Sequence, residues 1–165
     1  MFVDFEALPE NARVWVYQAG RDLSETEQAR VLDFLTRAVD SWVTHGMPMR
    51  GSVKILFNRM LVLAADTGFQ NPSGCSIDSS TGWLQELGRA MGLNFFDRSI
   101  GYFEDEKLNF FSVFDAKKQV SGGSIRPDTP IINLQVNTVN DLENALVVPA
   151  SESFLSRYFS TVESR

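Results

Sequence analysis

Two periodic patterns mark the first part of the chain. Between residues 12 and 18, Val14 and Val16 alternate with Trp15 and Tyr17, which predicts a strand. The next segment opens with Ser24-Glu25-Thr26-Glu27, which has the form of a capping box. Behind it, apolar residues recur at helical spacing, namely Val31, Leu35, Val39 and Trp42. This pattern predicts a long helix that Gly46 and Pro48 end, with its charged face formed by Arg30, Asp33, Arg37 and Asp40.

Two hairpins and a second long helix follow in the pattern. Residues 52–57 and 60–66 predict a hairpin joined at Asn58-Arg59. Residues 60–65 are apolar on both faces, so this strand should be central and covered on both sides. A helix with Trp83, Leu84, Leu87 and Met91 inward should be capped by Ser79 or Ser80 and stop at Gly92. Residues 100–104 and 107–111 predict a second hairpin around Asp105-Glu106.

The remaining segments predict shorter elements. We expect strands at 93–96 and 130–136, and a short helix that carries Phe111, Phe114 and Val120 and ends at Gly122-Gly123. Asn137 or Thr138 should cap another brief helix, and a last helix should cover 151–159. The sequence therefore predicts an α+β fold, with a mainly antiparallel sheet and helices packed against it, in a single domain of residues 1–165. The best seam between its halves lies at 92–101.

Composition narrows the classes of partner. The formal net charge is −6, which disfavours a general nucleic-acid binder because phosphates would be repelled. No apolar stretch approaches the ~20 residues that a membrane span needs, and Met1 to Glu6 do not resemble a signal peptide. We therefore expect a cytoplasmic protein with no membrane and no nucleic-acid partner. The 13 Phe residues suit a thick core or an apolar groove.

Cysteine and histidine each occur once, as Cys75 and His45. A single thiol cannot form an internal disulfide or supply a Cys-rich zinc site. A transition-metal site would have to consist mostly of carboxylates. We therefore predict no metal and no cofactor.

The polar segment 66–80 is the predicted place for a site. Just before a helix it offers a thiol, hydroxyls and a carboxylate, from Cys75, Ser76, Asp78 and Ser79. The N-terminus of a helix lowers the pKa of a nearby thiol and binds anions. A Cys nucleophile needs a base, for which His45 is the one histidine. Asp66 and Asp78 could alternatively hold Mg²⁺ or perform acid–base work.

Structural roles compete with each of these assignments. Asp78, Ser79 and Ser80 are ordinary helix-capping residues, and a lone Cys75 is often buried and inert. A protonated His45 at the end of the long helix would be stabilised by the helix dipole. The sequence leaves both interpretations open.

A five-residue stretch, Val120-Ser121-Gly122-Gly123-Ser124, resembles the Leu-Ser-Gly-Gly-Gln signature of ABC-transporter ATPases. That chemistry also requires a Gly-rich loop with a Lys that holds the phosphates. The sequence has no Gly-Lys pair, so we predict no ATP binding and interpret the stretch as a helix C-terminus that uses Gly.

Longer stretches resemble known families. Residues 42–46, the hairpin to Asp66 and residues 73–80 resemble an uncharacterised family of small bacterial proteins, sometimes labelled "ABC transporter ATPase", with Ser-Gly-Cys-Ser-Ile-Asp as the most specific part. That resemblance implies no reaction, cofactor or catalytic residue. The second half, through Gly101-Tyr102-Phe103 and residues 123–131, is similar to GYF-type domains, which bind proline-rich peptides.

Together these patterns favour a non-catalytic intracellular binding or accessory protein with a protein or peptide partner. The alternative is a small enzyme that uses the polar loop around Cys75 with Asp66, Asp78 and His45. An exposed aromatic groove in the second half would favour the first class, and a small molecule bound at the polar loop would favour the second. Whether those four residues converge on one pocket is the most useful single observation.

Overall fold

The computed structural model describes residues 1–44, 46–68 and 74–163, and of residues 44, 74–78 and 160–163 the backbone only. The predicted α+β fold is confirmed. The described helices are α1 Glu25–Asp40, α2 Gly74–Met91, α3 Ala116–Ser121, α4 Val139–Asn144 and α5 Ser156–Glu163. The strands are β1 Arg13–Gln18, β2 Val43–Thr44, β3 Met47–Pro48, β4 Gly51–Leu56, β5 Met60–Ala65, β6 Ile100–Glu104, β7 Lys107–Phe111, β8 Pro130–Ile132 and β9 Val147–Pro149. Over these ranges, no helix has the length and hydropathy to cross a membrane.

The chain divides into two compact units. The first consists of Met1–Asp97 and Val136–Leu142, and the second of Arg98–Gln135 and Glu143–Arg165. The chain first crosses from one unit to the other between Asp97 and Arg98, which lie within residues 92–101. Folding as one single domain stays a prediction.

The core of the first unit lies around a three-stranded antiparallel sheet with the order β1-β5-β4. All six residues of the middle strand β5 are buried, which confirms the prediction of a central strand. Leu61 and Leu63 pack in one cluster with Leu35 and Val39 of α1. The sheet and the apolar face of α1 therefore share one core, as the helical spacing predicts.

Helix α1 begins with the predicted capping box. The Glu27 N–H donates to Ser24 Oγ at 3.1 Å, and the Ser24 N–H donates to Glu27 Oε1 at 2.9 Å. The prediction that Gly46 and Pro48 end this helix is wrong, because it ends at Asp40. The Trp42 N–H still donates to Val39 O at 3.0 Å, and its side chain turns into the core at 2% exposure. The short antiparallel pair β2 and β3 follows, which the sequence analysis did not predict.

The capping box gives α1 a measurable dependence on pH. Two hydrogen bonds of 2.8 Å from Arg21, and then the Ser24 N–H, lower the pKa of Glu27 from 4.5 to about 2. Because this carboxyl has a lower pKa in the folded chain, it stabilises the fold above pH 4.5 and loses that effect as the pH falls towards 2. We therefore expect the free energy of unfolding, measured by urea titration, to fall less steeply between about pH 5 and 3 in Glu27→Gln than in the wild type.

Glu25→Gln in the same helical turn is the matched control for that experiment. Its stability should follow the wild-type pH curve. A Glu27→Gln curve that runs parallel to wild type from neutral pH to pH 3 would contradict the role of the Arg21 pair.

The turn between β4 and β5 is held by the residues that precede α1. Phe57 and Asn58 both have positive φ, at 53° and 60°, a combination that places the two strands in a tight hairpin. The Leu23 N–H donates to Asn58 O at 2.8 Å, and Arg59 Nε donates to Asp22 Oδ1 at 2.9 Å. The hairpin is confirmed, and these contacts fix it against the start of α1.

Both outer strands of this sheet carry hydrogen-bonded segments at their free edges. Along β4, the Val3 N–H donates to Gly51 O at 2.9 Å. Along β1, the Val14 N–H donates to Asn137 O at 2.9 Å, and Gln18 forms a parallel bridge with Phe96. That bridge is the only pairing described within residues 93–96, so the strand predicted there is wrong. The Leu93 N–H instead donates to Gly88 O at 2.9 Å, which holds the segment against the end of α2.

Helix α2 is longer than predicted. It begins at Gly74, so Ser79 and Ser80 lie inside the helix and the prediction that either caps it is wrong. Ser80 is buried, and its Oγ is 3.1 Å from the hydroxyl of Tyr17 in β1. This contact fixes the first half of the helix to the sheet. The helix ends at Met91, before Gly92 with φ of 66°, as predicted.

The second unit contains a four-stranded antiparallel sheet with the order β7-β6-β8-β9. The predicted turn at Asp105 and Glu106 is confirmed by their φ values of 51° and 65°. Helix α3 ends at Ser121, and Gly123, the residue after its C-cap Gly122, has φ of 83°, which confirms the helix C-terminus predicted for the ABC-like stretch. Helices α3 and α5 contribute Val120 and Phe159 to the core, together with Ile100, Phe111, Ile131 and Leu155.

Several short elements differ from their predicted bounds. Phe111 belongs to β7 rather than to a helix, and β8 covers only Pro130–Ile132. Helix α4 is capped as predicted, since the Asp141 N–H donates to Thr138 Oγ1 at 3.1 Å. The last helix begins at Ser156, after the 3₁₀ turn at Ala150–Glu152.

Candidate functional site

Asp66 has a structural role at the end of β5. Its Oδ1 accepts a hydrogen bond from the Gly68 N–H at 3.0 Å, and its Oδ2 is 3.8 Å from Arg50 Nη1. Its own N–H donates to Arg50 O at 2.8 Å. These bonds shape the turn that leaves the sheet.

Four of the other predicted site residues lie in the first part of α2. Cys75, Ser76 and Asp78 belong to the first two turns of this helix, and their side chains lie outside the described part of the structure. Ser79 is exposed one turn further on, and His45 lies outside the described residues. Convergence of Cys75, His45, Asp66 and Asp78 on one pocket therefore stays a prediction. Among the residues with described side chains, no group of three or more His, Cys, Asp or Glu could hold a metal ion.

The first unit has a cleft between α1 and α2, which we call the α1–α2 cleft. Its volume is about 510 Å³, and its lining residues are Arg30, Asp33, Phe34, Arg37 and Ala38 of α1, and Trp83, Glu86, Leu87 and Ala90 of α2. The two stretches are one face of each helix at helical spacing. Ligand sites commonly occupy clefts of roughly 300–1,000 Å³ between helices, with apolar walls and a few polar groups.

The floor of the cleft is aromatic and packs against the core. Trp83 packs against the buried Trp42 with ring centroids 5.2 Å apart, and Trp42 packs against Trp15 at 5.5 Å. Phe34 and Leu87 belong to the same hydrophobic core or pack against it. Because these rings are held from behind, the cleft presents a preformed apolar surface.

The rim of the cleft is charged. Arg37 forms an ion pair with Asp33 one turn earlier on α1. Arg30 and Glu86 provide one further cation and one further anion, on α1 and α2 respectively. None of the nine lining residues is a Ser, Thr, Cys, His or Lys. The cleft therefore contains groups that can orient a ligand, and among its described lining residues the carboxylates of Asp33 and Glu86 are the side chains of a kind that can act as a nucleophile.

This cleft is not predicted by the sequence. The helical spacing predicts Trp83 in the core, and Arg30, Asp33 and Arg37 on the outer face of α1. Trp83 is only partly buried, with one side of the indole against Trp42 and part of the ring lining the cleft. The sequence feature that could have indicated a cleft is the presence of the small residues Ala38 and Ala90 near bulky neighbours on the two helices.

The second unit exposes one aromatic side chain almost completely. Phe114 is 95% exposed, and the adjacent Val113 is 39% exposed. Both lie in the 3₁₀ turn Val113–Asp115, where Ser112 Oγ accepts a hydrogen bond from the Phe114 N–H at 3.3 Å. Phe114 therefore stands out from an ordered turn and does not share the buried face of Val120.

Comparison with known proteins yields no relative. No family model matches this chain. No curated protein and no solved structure has significant similarity to it.

Proposed function

We propose that this chain is a non-catalytic intracellular binding or accessory protein whose α1–α2 cleft receives an apolar side chain of a protein or peptide partner. The observation that carries the proposal is the aromatic cleft between α1 and α2 with its charged rim. ATP and nucleic acid fit the chain less well, because it lacks a Gly-Lys phosphate loop and has a net charge of −6.

Size and chemistry favour an aromatic occupant. The volume of about 510 Å³ accommodates one or two side chains rather than a folded element. Trp83 and Phe34 form walls against which a ring can stack or pack edge to face. Fully burying one such side chain contributes about 1.5–3 kcal/mol, so a single residue would bind weakly and a partner would add contacts at the rim.

The rim favours a peptide or protein over a purely apolar small molecule. Arg30 and Glu86 carry opposite charges on opposite helices, and the Arg37–Asp33 pair adds one more of each sign. Such a rim can form hydrogen bonds with backbone groups and with side chains of either charge. We expect it to set orientation and specificity more than affinity.

The test uses N-acetyl-phenylalanine amide as a probe in two-dimensional ¹⁵N NMR. We expect chemical-shift changes at the Trp83 indole N–H and along the facing sides of α1 and α2. Since the ring contributes about 3 kcal/mol at most, binding should have a Kd of millimolar or weaker. Ala90→Trp should fill the cleft and abolish the changes.

Ala29→Trp is the matched control, because Ala29 is exposed on α1 and does not line the cleft. It should leave the titration unchanged. Probe-induced shifts that persist in Ala90→Trp, or that map to residues outside α1 and α2, would contradict the cleft as the binding site.

A second function, a small enzyme that uses Cys75, is supported by one feature of the backbone. Helix α2 begins at Gly74, so Cys75 lies in the first turn of an 18-residue helix, where the helix dipole favours a thiolate. If this function is correct, alkylation of Cys75 in the folded protein should have an apparent pKa below about 7.5.

The contrasting result for Cys75 is alkylation that requires global unfolding. That result would identify a structural thiol and would remove the enzyme alternative. The rate should be measured from pH 5 to 9 and again in urea, with Cys75→Ser as the blank.

A further inference from the structure

We infer that the partner whose side chain fills the α1–α2 cleft is a second copy of this chain, which inserts Phe114. The inference rests on the proposed function of the cleft. In this inference, the α1–α2 cleft in the first unit of one copy binds Phe114 from the second unit of another copy.

Phe114 has the form of an anchor residue. Its exposure of 95% exceeds that of every other exposed large hydrophobic residue described, the next being Met47 at 67%. The turn that carries it is fixed on one side by the Ser112 cap and on the other by Ala116, which is buried in the core of the second unit. An ordered, protruding ring loses little conformational freedom when it enters a pocket, and such rings are typical centres of protein interfaces.

The charges around the anchor complement those around the cleft. Asp115 follows Phe114 directly, and Lys117 and Lys118 lie on the next turn; all three are exposed. The α1 side of the cleft carries Arg30 beside the Arg37–Asp33 ion pair, and the α2 side carries Glu86. With the ring in the cleft, Asp115 can therefore pair with Arg30, and Lys117 or Lys118 can pair with Glu86.

The two sites are different surfaces, so each copy can give its anchor and receive one. A reciprocal exchange closes a dimer with two equivalent contacts. Once the first contact has formed, the second contact forms within the same complex. The high effective concentration of its two partners then strengthens a contact that is weak alone. Self-association of this kind therefore does not require an extensive apolar interface.

The first experiment is sedimentation velocity of the full chain over a concentration series. We expect reversible self-association of the wild type below about 500 µM, a range typical of weak specific contacts. Phe114→Ser and Ala90→Trp should each weaken it by about tenfold or more, because in a dimer of either variant both aromatic contacts are lost and even one is worth about tenfold. Val147→Ser, at an exposed apolar residue of the second unit, and Ala29→Trp should leave it unchanged.

The decisive experiment mixes the two impaired variants. Phe114→Ser keeps an intact cleft, and Ala90→Trp keeps an intact anchor, so one correct contact can form only between them. Unlabelled Ala90→Trp should shift the Trp83 indole resonance of ¹⁵N-labelled Phe114→Ser, whereas unlabelled Phe114→Ser should not.

The outcomes separate this inference from the proposed function. A wild type that stays monomeric at about 500 µM, or a mixture without cleft shifts, overturns the second copy as the partner. If N-acetyl-phenylalanine amide still binds the cleft in that case, the proposed function stands with a different partner. If association persists equally in Phe114→Ser and Ala90→Trp, the chain associates through another surface and the inference is wrong.

Discussion

Trp42→Ala is expected to lower the free energy of unfolding by about 3–5 kcal/mol, the usual cost of removing a large buried aromatic side chain. Trp42 is 2% exposed and lies between Trp15 and Trp83, at centroid distances of 5.5 and 5.2 Å. Its removal leaves a cavity behind the floor of the α1–α2 cleft. Urea titration followed by far-ultraviolet circular dichroism would measure the change.

The neighbouring Val43 provides the control, since it is 53% exposed. Val43→Ala should change stability by less than about 0.5 kcal/mol. In Trp42→Ala, Trp83 loses its support, so N-acetyl-phenylalanine amide should bind the cleft more weakly even where the protein is fully folded. Equal stability of the two variants would show that the core of the first unit is not centred on the tryptophan cluster.

Gly88→Ala and Gly82→Ala, on the same helix, are expected to change stability in opposite directions. A Cβ at Gly88 would lie 2.6 Å from the backbone oxygen of Leu93, where the chain folds back along the end of α2. Overpacking against backbone costs about 1–3 kcal/mol. A Cβ at Gly82 would meet nothing within 4 Å, so alanine there should stabilise α2 by about 0.5–1 kcal/mol.

Thermal and urea unfolding of the two variants would check this prediction. The comparison cancels the general helix preference of alanine, because both sites lie in α2. Stabilisation by Gly88→Ala would mean that the contact between residues 88 and 93–95 is looser than the structure indicates.

Where local signals agreed with one another, the sequence predicted the fold. In α1, the capping box and the apolar spacing of Leu35 and Val39 both indicate a helix, and the helix forms with those residues at zero exposure. In β5, six consecutive apolar residues indicate a strand covered on both faces, and all six are buried. The two hairpins followed from short polar interruptions between apolar runs.

Predictions failed where tertiary contacts outweigh local preference. Gly, Ser and Asp residues between 74 and 80 are typical of loops, yet this segment is the first part of α2. The helix is extended by contacts that the local sequence does not show, such as the bond between Ser80 and Tyr17 of β1. Phe114 was placed on a helix with Val120, but a 3₁₀ turn has a tighter repeat and directs its side chain to solvent.

The candidate cleft could not be predicted because its two walls are distant in sequence. Phe34 and Trp83 meet only when α1 and α2 pack on the same side of the sheet. Each helix alone has an amphipathic pattern that ordinary core packing explains. The polar segment 66–80 has residues of reactive types that can be recognised in a sequence, whereas a binding surface made of Trp, Phe, Ala and Leu has no such signature.

The hydrogen-bonded segments at the edges of the three-stranded sheet also bear on aggregation. The central strand, Met60–Ala65, is six apolar residues without charge, Pro or Gly, which is the composition of segments that form cross-β fibrils. In the folded chain it is paired on both sides, and the strands that flank it have Val3 and Asn137 bonded to their outer edges. Another molecule that adds a strand must first displace those segments. Residues 1–3 and 136–138 therefore cover part of the edges at which a further strand would pair, although none of these residues lines the cleft.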